Sequence, residues 1–230
     1  MRNARRPRSA RRLTLSFLAA GCLLLLVACA AQPTSRSDNR LARVELLALL
    51  QTLNADLLSH DSATLTLERW CGDHRMADPA RVIAQRDRAV DKTIPAELRA
   101  HLAIGDEEPL RYRHVRLACG SHVLSEADNW YVPGRLSAEM NQRLETTDEP
   151  FGKVVRPLGF VRRTLSAELL WSPLPAGWEM APPETLPPLS VPHQVLRHEA
   201  VLYTSTQQPF SALVETYTSE VLSFRIAGAH

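Results

Sequence analysis

The apolar run from Leu13 to Val27 falls short of the roughly 20 residues that an ordinary membrane span requires. No G-x-S-x-G, H-E-x-x-H or P-loop signature occurs, so the commonest serine-hydrolase, zinc-peptidase and nucleotide-phosphate sites are not written here. There is no internal repeat and no heptad pattern, which sets aside solenoids and coiled coils. A net positive field is missing too. Six of the 27 basic residues are arginines within residues 1–28, a stretch without Asp or Glu. The remaining 21 basic residues face 25 acidic ones, a net charge of −4. Such a balance does not draw in a polyanion, and nucleic acid is not expected as a partner.

What the chain does have begins with Arg2, Arg5, Arg6, Arg8, Arg11 and Arg12, a basic n-region ahead of the apolar run. The run ends in Leu26-Val27-Ala28-Cys29, which resembles the lipobox of bacterial lipoproteins. That resemblance implies a cut before Cys29 and acyl chains on it. Ala30 after the cysteine, rather than Asp, points to the outer membrane, facing the periplasm. A plain signal peptide cut at Ala28 or Ala30 is the alternative, and Arg11-Arg12-Leu13 is a faint twin-arginine signal. The expected organisation is a signal segment over 1–28, a lipid-anchored tether over 29–40 and one domain over 41–230. Membrane contact would run through the N-terminal lipid.

Four cysteines thereby reduce to two, Cys71 and Cys119. In an oxidising compartment they can form one disulfide. Each is also followed three residues on by a histidine, His74 and His122, nominally a zinc-ligand set of unusual spacing. Two unrelated buried cysteines are the third alternative.

From Leu41 to Leu58, leucines recur at helical spacing and predict an amphipathic helix. Asp61 or Ser62 can cap a second helix reaching about Cys71. A strand is expected over 80–89, a short helix over 95–103, and a hairpin from Leu110 to Pro133. A helix capped by Ser137 follows, then a turn at Glu149 to Lys153 and a strand from Leu158 to Trp171. Seven prolines between Ser172 and Pro192 exclude helix and central strand there. Two last strands are expected over 195–206 and 209–222. Helices on a mostly antiparallel sheet make an α+β domain.

Within the hairpin, Arg113 shares a face with Val115 and Leu117 and is expected to point inward. A buried guanidinium is costly unless an anion meets it. Glu215 shares a face with Leu213 and Tyr217 in the final strand, a carboxylate on a half-apolar face. These two can pair with each other, or they can both face a ligand. Trp130 and Tyr131 can wall a pocket or fill a core. His114 falls on the face opposite Arg113.

Several short motifs occur in order: Leu57-Leu58-x-x-Asp61-Ser62-x-Thr64, Arg113 in a strand ending at Cys119, Val132-Pro133, Pro150-Phe151-Gly152-Lys153, Arg197, and Leu213-Val214-Glu215. This order resembles the chorismate pyruvate-lyase (4-hydroxybenzoate synthase) family, over roughly residues 57–222. The resemblance implies a central antiparallel sheet with helical flaps over a buried ligand. It implies Arg113 on the ligand carboxylate, Glu215 at the hydroxyl end, and pocket lining by Ala63, Thr64, Phe151 and Gly152. Arg197 can be a second anion contact or an ordinary strand charge. Phe151 stands where that family often has leucine, and Ala63 where a relative has methionine.

On this basis the expected activity is elimination of pyruvate from chorismate, the first step towards ubiquinone, by orientation and exclusion of water, with Arg113 and Glu215 as the catalytic pair. No cofactor and no metal are called for. Two other readings stand beside it: a non-catalytic, periplasm-facing lipoprotein that binds a small aromatic carboxylate, and a structural lipoprotein whose Arg113–Glu215 pair holds the sheet.

Overall fold

The computed structural model describes residues 38–105, 107–180 and 186–224. The signal segment 1–28, Cys29 and most of the tether 29–40 lie outside the described residues.

Helix α1 (Arg40–Leu58) starts where Asn39 Oδ1 accepts from Ala42 N at 2.9 Å. Leu46, Leu50, Leu53 and Leu57 recur every three or four residues and are fully buried. Each contributes roughly 1.5–3 kcal/mol by leaving water. Leu41 and Leu58 fall off that stripe and stay exposed. Helix α2 (Ala63–Asp73) is capped by Ser62, one of the two residues expected there.

Six strands follow: β1 (Val82–Asp87), β2 (Arg111–Cys119), β3 (His122–Tyr131), β4 (Val161–Leu169), β5 (Gln194–Tyr203) and β6 (Pro209–Thr218). They form one sheet in the order β1-β2-β3-β6-β5-β4, every pair antiparallel. The architecture is α+β and chorismate lyase-like. Helices α1 and α2 pack on one face around Val115, Leu117, Ala127 and Tyr217. Helices α4 (Ala138–Thr146) and α5 (Phe151–Val154) cover the same face around Tyr131, Phe210 and Leu213. Helix α3 (Ala96–Leu102) seals part of the other face, setting Leu98 and Leu102 on Trp130, Ala212 and Val214. Trp130 is therefore core on the face away from Arg113. Tyr131 is core on the same face as Arg113.

Cys71, near the end of α2, is bonded to Cys119 at the end of β2. The sulfurs are bound to each other, so the two Cys-x-x-His pairs are no zinc set. His74 Nδ1 instead sits 2.8 Å from Trp70 O, and His122 Nδ1 sits 2.7 Å from Glu220 Oε2.

Smaller departures have local causes. Residues 151–154 form a helical turn because Pro150 O accepts from Lys153 N and Val154 N. The last strand stops at Thr218, whose hydroxyl accepts from Glu220 N and turns the chain into a 3-10 turn, Ser219–Leu222. The proline-rich segment is held to α1 by the buried Arg43, which donates to Pro173 O at 3.1 Å and to Pro187 O, and pairs with Asp38 at 2.7 Å.

Candidate functional site

Register places three rows of side chains on the face under α2 and α5. Arg113 stands beside Asn129 and then Leu213; Val115 beside Ala127 and then Glu215; Leu117 beside Ser125 and then Tyr217. Above them Gly152 in α5 meets the start of α2. A Cβ at Gly152 would lie 3.0 Å from Ser62 Oγ, tight enough that Ser62 would have to shift by a few tenths of an ångström. Between the rows and this roof lies a cavity of about 50 Å³. By the measure in which one water takes about 10–15 Å³, it has room for a few heavy atoms. Arg113, Glu215, Ala63, Thr64, Phe151 and Gly152 all line it, with Asp61, Ser62, Asn129 and Phe160.

Arg113 is 1 % exposed, and Nε, Nη1 and Nη2 have no hydrogen-bond partner among the described residues. Burial, and then the like charge of Arg86, pulls its pKa down to about 10. The nearby carboxylate does not serve it: Glu145 is paired with Arg86 at 2.9 Å and with Arg111 at 3.3 Å. Donors thus outnumber acceptors at this end. Asn129 adds to them, because its Oδ1 is already taken by Ser211 Oγ at 2.6 Å.

Glu215 lies two strands away and one side-chain step along, so the Cα atoms of Arg113 and Glu215 are about 12 Å apart. They form no ion pair. Glu215 Oε2 instead accepts from Arg162 Nη2 at 2.6 Å and from Tyr217 OH at 3.0 Å. The Arg162 and Glu215 side chains are 3 % and 8 % exposed. Burial alone would lower the pKa of Arg162; Glu215 more than offsets this and raises it. Tyr217 is pushed well above the ordinary phenol range by burial, and then by Glu215. His198, the cross-strand neighbour of Glu215, sits 2.8 Å from Asn54 Oδ1 through Nε2, and its buried Nδ1 has no partner among the described residues. Burial, and then Arg162, lowers its pKa to about 4.

Arg197 does not reach the cavity. It pairs across the strands with Thr216, one residue out of step with Glu215, and its Nη2 donates to Glu199 Oε1 at 2.6 Å on the far face. His114 is on that far face as well, 2.8 Å from Asp128. Sequence reasoning passed over Arg162, Asn129 and Phe160. The Arg162-Arg163 doublet in β4 was the available signal for the first.

No family model matches the chain. The uncharacterised protein y4mC of Sinorhizobium fredii is 55% identical over 188 residues, covering 80% of this chain and 79% of that protein. This chain belongs to the y4mC family. Among solved structures it is similar to a possible transcriptional regulator, YydK of Bacillus subtilis, at 18% identity and a TM-score of 0.38, covering 64% of this chain and 61% of that one. It is similar to a GntR-family transcriptional regulator of Enterococcus faecalis at 12% identity and a TM-score of 0.38, covering 62% and 98%. A third is the effector domain of PhnF from Mycobacterium smegmatis, at 14% identity and a TM-score of 0.38, covering 60% and 82%. Likenesses this distant speak to the fold alone.

These findings correct several expectations. The resemblance to chorismate pyruvate-lyases holds for the fold, and the solved structures of that fold named here are regulators, neither lyases nor lipoproteins. The expected elimination of pyruvate, the aromatic-carboxylate lipoprotein and the structural lipoprotein lack support among these neighbours. So do the link to ubiquinone, the lipid anchor at the outer membrane and the exclusion of nucleic acid. Among the described residues, no helix is long and apolar enough to cross a membrane.

Proposed function

We propose that this domain is a binding module for a small acid, an effector-type pocket in which nothing is turned over. The observation that carries this reading is Arg113: a guanidinium 1 % exposed, lining a cavity, with all three nitrogens unpartnered among the described residues. A cation held in that way is unfavourable in the empty protein and becomes favourable when an acid group meets it through two parallel hydrogen bonds. The first turn of α2 supports the same end, since the backbone N–H groups of Ala63 and Thr64 lie at the positive pole of the helix and both residues line the cavity. Glu215 would receive a hydrogen-bond donor at the opposite end. It suits that task better than proton transfer, because Arg162 and Tyr217 already hold it in place.

The test is a titration of the purified chain with propionate, small enough for the cavity, followed by ligand-observed NMR. Saturable binding is expected in the wild type and its loss in Arg113→Gln. Absence of saturable binding at tens of millimolar in the wild type would overturn the reading.

A further inference from the structure

The inner cavity is too small for most metabolites, and a larger space adjoins it. A groove of about 270 Å³ is lined by His60, Asp61, Leu65, Arg69, Arg156 and Phe160, among others. It shares Asp61, Ser62 and Phe160 with the inner cavity of about 50 Å³. Asp61, Ser62 and Phe160 thus form the partition that the two spaces share. The Asp61–Ser62 turn is fixed, because Asp61 Oδ1 accepts from Arg162 N at 2.8 Å. Phe160 is half-buried, and its ring meets Phe210 edge-on at 6.3 Å between centroids. It is the side of the partition that can yield by rotating a side chain.

Charge in the groove is uneven. Arg69 is drawn to Asp56 at 3.4 Å, as is His60 at 3.1 Å. Arg156, in the turn between α5 and β4, makes no ion pair or side-chain hydrogen bond among the described residues. Leu65 and Phe160 supply apolar lining in the same groove.

We infer that the ligand is an elongated diacid: one acid head sits on Arg113, the chain passes Phe160, and the second acid group meets Arg156. This rests on the small-acid reading of the inner cavity and extends it. An inner cavity alone would favour short acids and reject long ones. Two adjoining spaces, each lined by an arginine that is unpaired among the described residues, favour an extended chain charged at both ends. A matched monoacid gains only the apolar contacts.

Three probes separate the possibilities: propionate, octanoate and suberate, the last two being eight-carbon chains with one and two carboxylates. Suberate is expected to bind the wild type about tenfold more tightly than octanoate. Arg156→Ala, a surface change that leaves the fold alone, should bring suberate to the level of octanoate and leave propionate untouched. If propionate binds but suberate binds no more tightly than octanoate, or if Arg156→Ala leaves their ratio as it was, the diacid inference is overturned and the inner site stands. If none of the three probes binds, both readings fall.

Discussion

Arg162 donates to Glu215 at 2.6 Å, and this contact takes up a carboxylate that shares a cavity with Arg113. The polarity of the chamber follows from it. At one end a cation and anion satisfy each other; at the other a cation waits.

The Arg162–Glu215 pair is buried on both sides, so removing one partner strands a charge. Arg162→Met is expected to cost about 3–5 kcal/mol of unfolding free energy. Glu215→Gln combined with Arg162→Met should cost much less than the sum of the single changes, because neither charge is then left alone. Urea denaturation of the four proteins measures this. Additive losses would mean that the two side chains do not interact.

Arg113 shows the opposite sign. Its charge is buried without return in the empty protein, so Arg113→Met should stabilise the chain by on the order of 2 kcal/mol while abolishing acid binding. A bound acid at 100 times its Kd should add about 2.7 kcal/mol to the wild type and nothing to the variant. Thermal unfolding with and without propionate reads both effects. A less stable Arg113→Met would mean that the guanidinium is satisfied in the free protein.

His198 gives a pH dependence. Its folded pKa, about 4, lies below the ordinary 6.5, so the unfolded chain takes up the proton first as pH falls. The stability tied to neutral His198 is complete above pH 6.5 and is lost as pH drops towards 4. The full loss is on the order of 3 kcal/mol. Besides the facing Arg162, Glu215 and Tyr217, the ring meets Asn54 from α1, which does not titrate. His198→Gln keeps a polar group towards Asn54 and should flatten the stability curve between pH 6.5 and 4. An unchanged slope would place the titration elsewhere.

Much of this was legible in the chain. The leucine stripe of α1, the caps at Ser62 and Ser137, the hairpin and the inward side of Arg113 all follow from period and local chemistry. Partners across the sheet were not. Glu215 meets Arg162 only because β5 lies between β4 and β6, a strand order no local pattern encodes. Arg197 was misplaced for the same reason. Which face it takes depends on a register in which His198, not Arg197, stands opposite Glu215, and that register shifts between Gln194 and Leu196. The pairing of Cys71 with Cys119 needed the packing of α2 on β2 to choose among three open alternatives.

That disulfide closes 48 residues of chain and fastens α2, whose first turn roofs the cavity, to the strand that carries Arg113. A loop of this length restricts the unfolded state by about 4 kcal/mol. Cys71→Ser with Cys119→Ser should lower the urea midpoint accordingly and match wild type unfolded in reductant. Equal midpoints with and without reductant would show that the bond contributes nothing.

Gly152 separates stability from binding. Alanine there brings a Cβ to 3.0 Å from Ser62 Oγ and 3.5 Å from Thr64 Oγ1. Ser62 must give way, although its hydroxyl already caps α2 at a long 3.4 Å to Leu65 N. Losing that cap costs about 1 kcal/mol. Replacing glycine by alanine in a helical turn returns about the same amount. The two effects nearly cancel, so Gly152→Ala should unfold within about 0.5 kcal/mol of the wild type. Binding has no such compensation, because the roof and the α2 N–H groups move together. The Kd for propionate should rise several-fold. Gly152→Val presses a bulkier group onto the same atoms and should abolish binding before it unfolds the domain. Denaturant melts alongside propionate titrations decide the matter: an unchanged Kd in Gly152→Ala would mean that the first turn of α2 does not touch the bound acid.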